Sequence, residues 1–190
     1  MVKIYQEKET PVLRQKAKSI AHKDIGSKKL NKIIDDMKKV LATQNDGVAI
    51  AAPQVGQLIR LVVISGKVKA IIAQEDETKV RYPDDVFINP ILIRSSREKQ
   101  EVEEGCLSVR WLYGKVKRSA KVEVEAYDEN GKKVRRGVSG LMAQIFQHEI
   151  DHLEGKLFID TAKDLHEWKP EKAKKKKTHT GVRKELRHLK

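Results

Sequence analysis

The stretch QHEIDHLEG, residues 147–155, constrains the fold more than any other part of the chain. His148 and His152 are four positions apart, so on a helix they share one face, and Leu141 and Ile145 continue the same stripe. An apolar stripe that runs into two imidazoles has to point inward, and the helix must therefore be covered by other elements. Ser139 is a good N-cap and Gly155 a common residue just past a C-terminus, which predicts a helix between them. Glu149 projects about a hundred degrees round from His148. In that arrangement both imidazoles can reach one metal ion, while the carboxylate beside it can take a proton from water without blocking the open coordination position.

This pattern is short, and three polar residues on an ordinary amphipathic helix would also produce it. A third ligand is needed to separate the two readings. The remaining histidines are His22, His166, His179 and His188, the last two in a basic tail. Cys106, the only cysteine, is the better candidate. A lone cysteine is ordinarily a small buried hydrophobe. Here it follows Gly105, which permits close backbone approach, and its thiolate would complete a His2Cys site with a fourth position left for water. With a single cysteine no internal disulfide forms, which fits a reducing compartment.

The stretch GVAIAAPQVG, residues 47–56, is not explained by propensity. Read plainly it is a tight loop packed under the first helix. Its glycines and alanines also keep a low surface against which a substrate backbone can lie, with Gln54 able to aim its amide at a developing oxyanion.

Around these motifs, Leu30, Ile33, Ile34, Met37, Val40 and Leu41 recur at helical spacing behind a Ser27 cap, with Gly47 placed to end the helix or begin the next turn. Residues 59–64 and 86–93 read as strands, and the Asn130-Gly131 pair within 121–138 reads as a hairpin turn. At 190 residues the chain is expected to hold one domain, residues 1–165, with a basic extension, 166–190. Residues 161–190 carry eleven Lys and Arg against four Asp and Glu, so +7 of the formal charge of +13 lies there. No run of eighteen apolar residues occurs and the N-terminus has no long apolar segment, so neither a membrane span nor a signal peptide is expected, and the chain reads as cytoplasmic.

Taken jointly, GVAIAAPQ, EGCLS and QHEIDHLEG, in this order, resemble the three signature motifs of the bacterial peptide deformylases. TPVLR near the N-terminus and INP before the second motif extend the resemblance over roughly residues 1–162. It implies an α+β fold with antiparallel sheets surrounding the central motif helix. It also implies an enzyme that removes the formyl group from formylmethionine at the N-terminus of nascent chains, releasing formate. Cys106, His148 and His152 would hold one divalent ion, ferrous in the cell, with zinc, nickel or cobalt accepted. Glu149 would be the general base and later proton donor, and Gln54 with the Leu107 N–H the oxyanion hole. Val102, Leu141 and Ile145 would line the methionine pocket, and Val48 and Gly105 would contact the substrate backbone. Glu104 matches the second motif, and Arg118 is its expected counter-charge. The basic extension is expected to dock a monomeric enzyme on ribosomal RNA.

Two positions depart from the family pattern: Ala49 stands where a glycine is usual, and Arg110 where a proline is usual. The alternatives are a zinc peptidase, for which Cys106 would be an unusual ligand, and a non-catalytic ribosome- or RNA-associated protein on the same scaffold.

Overall fold

The computed structural model describes residues 2–76 and 79–169. An N-terminal segment of short 3-10 turns leads into helix α1, Lys28–Ala42. The Ser27 hydroxyl accepts from the Leu30 N–H at 3.2 Å, as its type suggests, and the helix buries Leu30, Ile34, Met37 and Leu41. It stops short of Gly47 because the Thr43 hydroxyl folds back onto the Val40 carbonyl at 2.7 Å.

Strand β1, Ala49–Ala51, and strand β2, Leu61–Ile64, form an antiparallel pair, followed by the short helix α2, Lys67–Ile72. Strands β3, Asp85–Ser95, β4, Lys99–Cys106, β5, Val109–Ser119, β6, Lys121–Tyr127, and β7, Lys133–Ser139, precede helix α3, Gly140–Leu153, and the last strand is β8, Lys163–Glu167. They form two antiparallel sheets, β1-β2-β3-β6-β7 and β4-β5-β8. The β6–β7 hairpin turns at Asn130-Gly131, where Gly131 has φ +79° and Asp128 Oδ1 accepts from the N–H groups of Asn130 and Lys132.

Helices α1 and α3 cover opposite faces of the five-stranded sheet. Leu61 and Val63 of β2 face the α1 side, while Val62 and Ile64 face Phe146, Ala143 and Leu153 of α3. A strand buried on both faces has no polar position, which is why LVVI is unbroken in the sequence. Pro90 cannot donate to a ladder, and the pairing of β3 with β6 shifts register between Ile88 and Ile91. Asn89 at that break has φ +53°, and its amide closes two 2.8 Å bonds with the backbone of Ile20. The N-terminal segment is thereby fastened to the sheet.

Helix α3 lies between the two sheets, as the resemblance implies. It starts after Ser139, though that hydroxyl makes no cap bond, and it closes in a left-handed Gly155, φ +72°. Strand β8 runs across the expected boundary at residue 165, with His166 opposite Tyr113 and Glu167 opposite Leu112. The basic stretch from residue 170 lies outside the described residues. Among the described residues no helix is long and apolar enough to cross a membrane.

Candidate metal centre

The helical spacing brings the rings of His148 and His152 to 5.0 Å between centroids. The last residue of β4 delivers Cys106 to them, with its Sγ 3.2 Å from His152 Nε2. One ligand atom from each of the three residues lies within 4.8 Å of the others. Side chains alternate along a strand, so Glu104 shares a face with Cys106 and arrives on the same side of α3. Its Oε2 is 2.9 Å from His148 Nδ1, which leaves the other ring nitrogen for the thiol side. Gly105 between them must lack a side chain, since a Cβ there would sit 2.5 Å from the Tyr113 ring.

Charge follows from this packing. Burial alone would raise the Glu104 carboxyl, but the two Arg118 bonds, 2.7 and 2.9 Å, and the His148 bond outweigh it and hold the pKa at about 2. Glu104 and Arg118 are 4% and 8% exposed, so each buried charge has the partner the sequence implied. Burial pulls His148 down, yet its bonds to Cys106 and Glu104 raise it well above the ordinary range. His152 is pushed well below that range by burial and then by the His148 charge, and so offers a neutral lone pair. Glu149 is raised to about 7 by burial, and its Oε2 has no hydrogen-bond partner among the described residues.

These residues fit a metal ion. One sulfur and two imidazole nitrogens suit borderline-soft divalent ions, and a cation can replace the proton that His148 otherwise attracts. Cys106, His148 and Glu149 all line a cleft of about 260 Å³, so the accessible side of the cluster faces the carboxylate. Gln54 is also in this wall. Its Oε1 accepts from the Ala51 N–H at 2.8 Å, which turns Nε2 toward Ser108 Oγ at 3.2 Å and Cys106 Sγ at 3.6 Å. Leu107 follows Cys106 in the turn to β5 and lines the cleft, its carbonyl held by Gln6 Nε2 at 3.0 Å.

Of the expected substrate contacts, Val48, Gly105, Leu141 and Ile145 line the cleft. Val102 is not brought there. It lies opposite Val116 in the β4–β5 ladder, four residues and about 13 Å of strand from Cys106. Arg110, noted in the sequence only as a departure from the family pattern, is a wall residue, as are Asp46, Trp111, Tyr113 and Gln144, which sequence reasoning did not single out. The arginine at 110, where the family has proline, was the one signal, and the hairpin that carries it has no glycine or asparagine turn to mark it.

The polypeptide deformylase family model matches residues 1–168. The chain is 43% identical over 152 residues to Peptide deformylase 2 of Clostridium acetobutylicum, covering 80% of this chain and 89% of that protein. It is likewise 43% identical over 152 residues to the peptide deformylase of Mesorhizobium japonicum, covering 79% and 78%. Its fold matches a peptide deformylase from Synechococcus elongatus solved in complex with actinonin, with TM-score 0.74, 35% identity and coverage of 86% and 81%. It also matches the Met-Ala-Ser-bound class I type b peptide deformylase of Acinetobacter baumannii, with TM-score 0.71, 29% identity and coverage of 84% and 98%. These matches support neither the zinc peptidase nor the non-catalytic alternative.

Proposed function

The chain belongs to the polypeptide deformylase family and is a metal-dependent hydrolase that takes the N-formyl group from formylmethionyl peptides, and we propose how its residues divide that work. The observation that carries the assignment is the Cys106, His148 and His152 cluster, closed within 4.8 Å beside the buried Glu149 carboxylate, whose Oε2 has no hydrogen-bond partner among the described residues. Those three residues would hold the ion, which when bound would supply Lewis acidity to acidify water and polarise a carbonyl oxygen. Ferrous iron is the ion proposed for the cell, with zinc, nickel and cobalt as substitutes that accept the same sulfur and nitrogen ligands.

Glu149, poised near neutrality, accepts a proton from the attacking water and returns it to the amine nitrogen as the carbon–nitrogen bond breaks. Formate and a free N-terminus leave. Gln54 Nε2 and the Leu107 N–H donate to the oxygen that gains charge during attack. The Gln54 amide is held with its donor end toward Cys106 and Ser108, in the wall of the cleft. Leu141 and Ile145 receive the methionine side chain, and Val48 and Gly105 meet the peptide backbone as an added strand would.

The test is formate release from formyl-Met-Ala-Ser by protein loaded with ferrous iron without oxygen, since an iron thiolate invites oxidation. We expect equal yields of formate and Met-Ala-Ser. Absence of formate with iron, nickel, cobalt and zinc alike would defeat the reading.

A basic extension beyond the catalytic part is proposed to dock the monomeric, cytoplasmic enzyme on ribosomal RNA, supported by the lysine-rich sequence after Pro170. Because β8 pairs with β5, the informative truncation follows Lys169 and spares that strand. It should abolish low-salt ribosome co-sedimentation and leave turnover on a free peptide intact. Unchanged co-sedimentation would refute docking.

A further inference from the structure

Strands β1 and β4 end their sheets in the strand orders, and residues of both line the catalytic cleft. The substrate site is therefore a gap between two sheet margins, and its width depends on whatever ties those margins together. One wall is the irregular segment 44–48 leading into β1, and the other is the turn from Cys106 to Val109.

Arg110 bridges them. Its Nη1 lies 2.6 Å from Asp46 Oδ2 and its Nη2 2.6 Å from Gln44 Oε1, while its own backbone belongs to β5. Gln44 is held for this role, since its Nε2 donates to Thr43 Oγ1 at 2.8 Å and its carbonyl accepts from Lys67 Nζ at 3.1 Å. On the other side the Arg110 N–H donates to Gln6 Oε1 at 3.4 Å, and Gln6 Nε2 holds the Leu107 carbonyl. The walls come close together here: a Cβ added to Gly47 would stand 3.2 Å from Leu107 Cδ1. The next residue, Trp111, carries φ +68°, a conformation rare for a bulky side chain, and the Arg110 guanidinium lies 5.1 Å from its ring centre. The Trp111 carbonyl accepts from the Trp168 N–H at 2.8 Å, which fastens that strained residue to the chain just after β8.

We propose that Arg110 is a positioning residue: its guanidinium straps the Gln44–Asp46 segment to the Cys106–Val109 turn and fixes the gap in which the substrate backbone lies. Proline at this position could not make that bridge. The arginine thus supplies by side-chain bonding a wall spacing that would otherwise rest on backbone stiffness. The substrate's identity rests on the deformylase reading above, whereas the strap itself does not.

His148, His152 and Glu149 are on α3, away from the strap, and Cys106 and Leu107 in the strapped turn keep their own ties to His152 and Gln6, so loss of the strap falls first on segment 44–48 and on substrate binding. In the iron-loaded enzyme, Arg110→Ala is expected to raise KM for formyl-Met-Ala-Ser about tenfold while kcat stays within about threefold. Asp46→Asn should move KM the same way, and Arg110→Lys, which keeps one ion pair, should recover part of the loss. Hydrogen exchange read in parallel should quicken at residues 44–49 and 106–108 alone. Unchanged KM and exchange in Arg110→Ala would overturn the proposal. So would loss of protection across α3 and the five-stranded sheet, because Arg110 would then support the fold at large. Should the unaltered enzyme release no formate, the deformylase reading fails and the exchange pattern decides the strap by itself.

Discussion

Glu149 is the residue on which the proposed chemistry turns, because it is the buried carboxylate beside the cluster that no ion pair among the described residues neutralises. Glu104, as deeply buried, is held at about 2 by Arg118, whereas Glu149 is raised to about 7. Two neighbouring carboxylates are thus separated into a fixed charge and a proton carrier by their partners alone. Glu149→Gln should retain the metal and fold yet lose turnover by at least about a hundredfold, as metal content and formate release on the same sample would reveal. Ala49 makes a different prediction. Its methyl is 6% exposed and packs with the α3 side of the core, so it is a structural residue as well as a cleft wall. Ala49→Gly should leave the rate unchanged or raise it. It should also lower stability by about 1–2 kcal/mol, from the lost methyl and the freer backbone, or roughly 2–8 °C in a melting curve. A large loss of rate would mean the loop has adapted around alanine. The Cys106, His148 and His152 cluster was legible because two histidines at helical spacing demand a third ligand, while the Glu104–Arg118 pair was legible from the resemblance of the second motif and the counter-charge a buried carboxylate requires. Arg110 was not, since its partners Gln44 and Asp46 are more than sixty residues away and no local pattern links them.

At the scale of elements, the legible parts are those that bury at least one face or turn on a characteristic residue pair. Helix α1 showed its 3.6-residue stripe, β2 its unbroken apolar run, and the β6–β7 hairpin its Asn-Gly turn. The β4–β5 hairpin did not announce itself. Glu101, Glu103, Lys115 and Lys117 give its outer face charge at alternate positions, and it turns through Leu107-Ser108 with no glycine. All five residues of β8 are exposed, so it has no apolar alternation to read and exists through pairing with β5. Where α3 ends, sequence and packing agree closely. Gly155 satisfies a left-handed closure, and a Cβ there would also stand 2.6 Å from the Arg14 carbonyl. Gly155→Ala combines both penalties and should cost about 2–4 kcal/mol, lowering the melting temperature by roughly 4–16 °C. Since His152 lies in the last turn, metal affinity should fall in the same variant. Unaltered melting would show that the N-terminal segment yields without cost.

For the molecule as a whole, the question is what keeps the N-terminal segment against the catalytic helix. It forms only 3-10 turns before α1, and much of its attachment is polar. Glu154, just past α3, pairs with Lys16 at 2.8 Å and with Arg60 at 2.5 Å, and Asp160 pairs with Arg14 at 2.7 Å. The Lys16 hydrogen bond is the largest influence on Glu154, and with Arg60 it lowers the carboxyl below its ordinary 4.5 despite partial burial. Burial opposes the shift at Asp160, but Arg14 and the Leu157 N–H together lower it below 3.8. Carboxyls depressed in the folded state stabilise it above their unfolded pKa, and that stabilisation is lost as pH falls through the folded value. The chain already carries a formal +13 at neutrality, so each protonated carboxyl also adds to its self-repulsion. We therefore expect stability to fall as pH drops below 4.5, with the segment around Arg14 to Lys18 opening to protease before α3 unfolds. Glu154→Gln removes one of the titrating groups. Its urea midpoint should lie below that of the unaltered protein at pH 7, and the two should converge as pH falls under 4.5. A difference that persists undiminished into acid would show that Glu154 acts through packing and not through its charge.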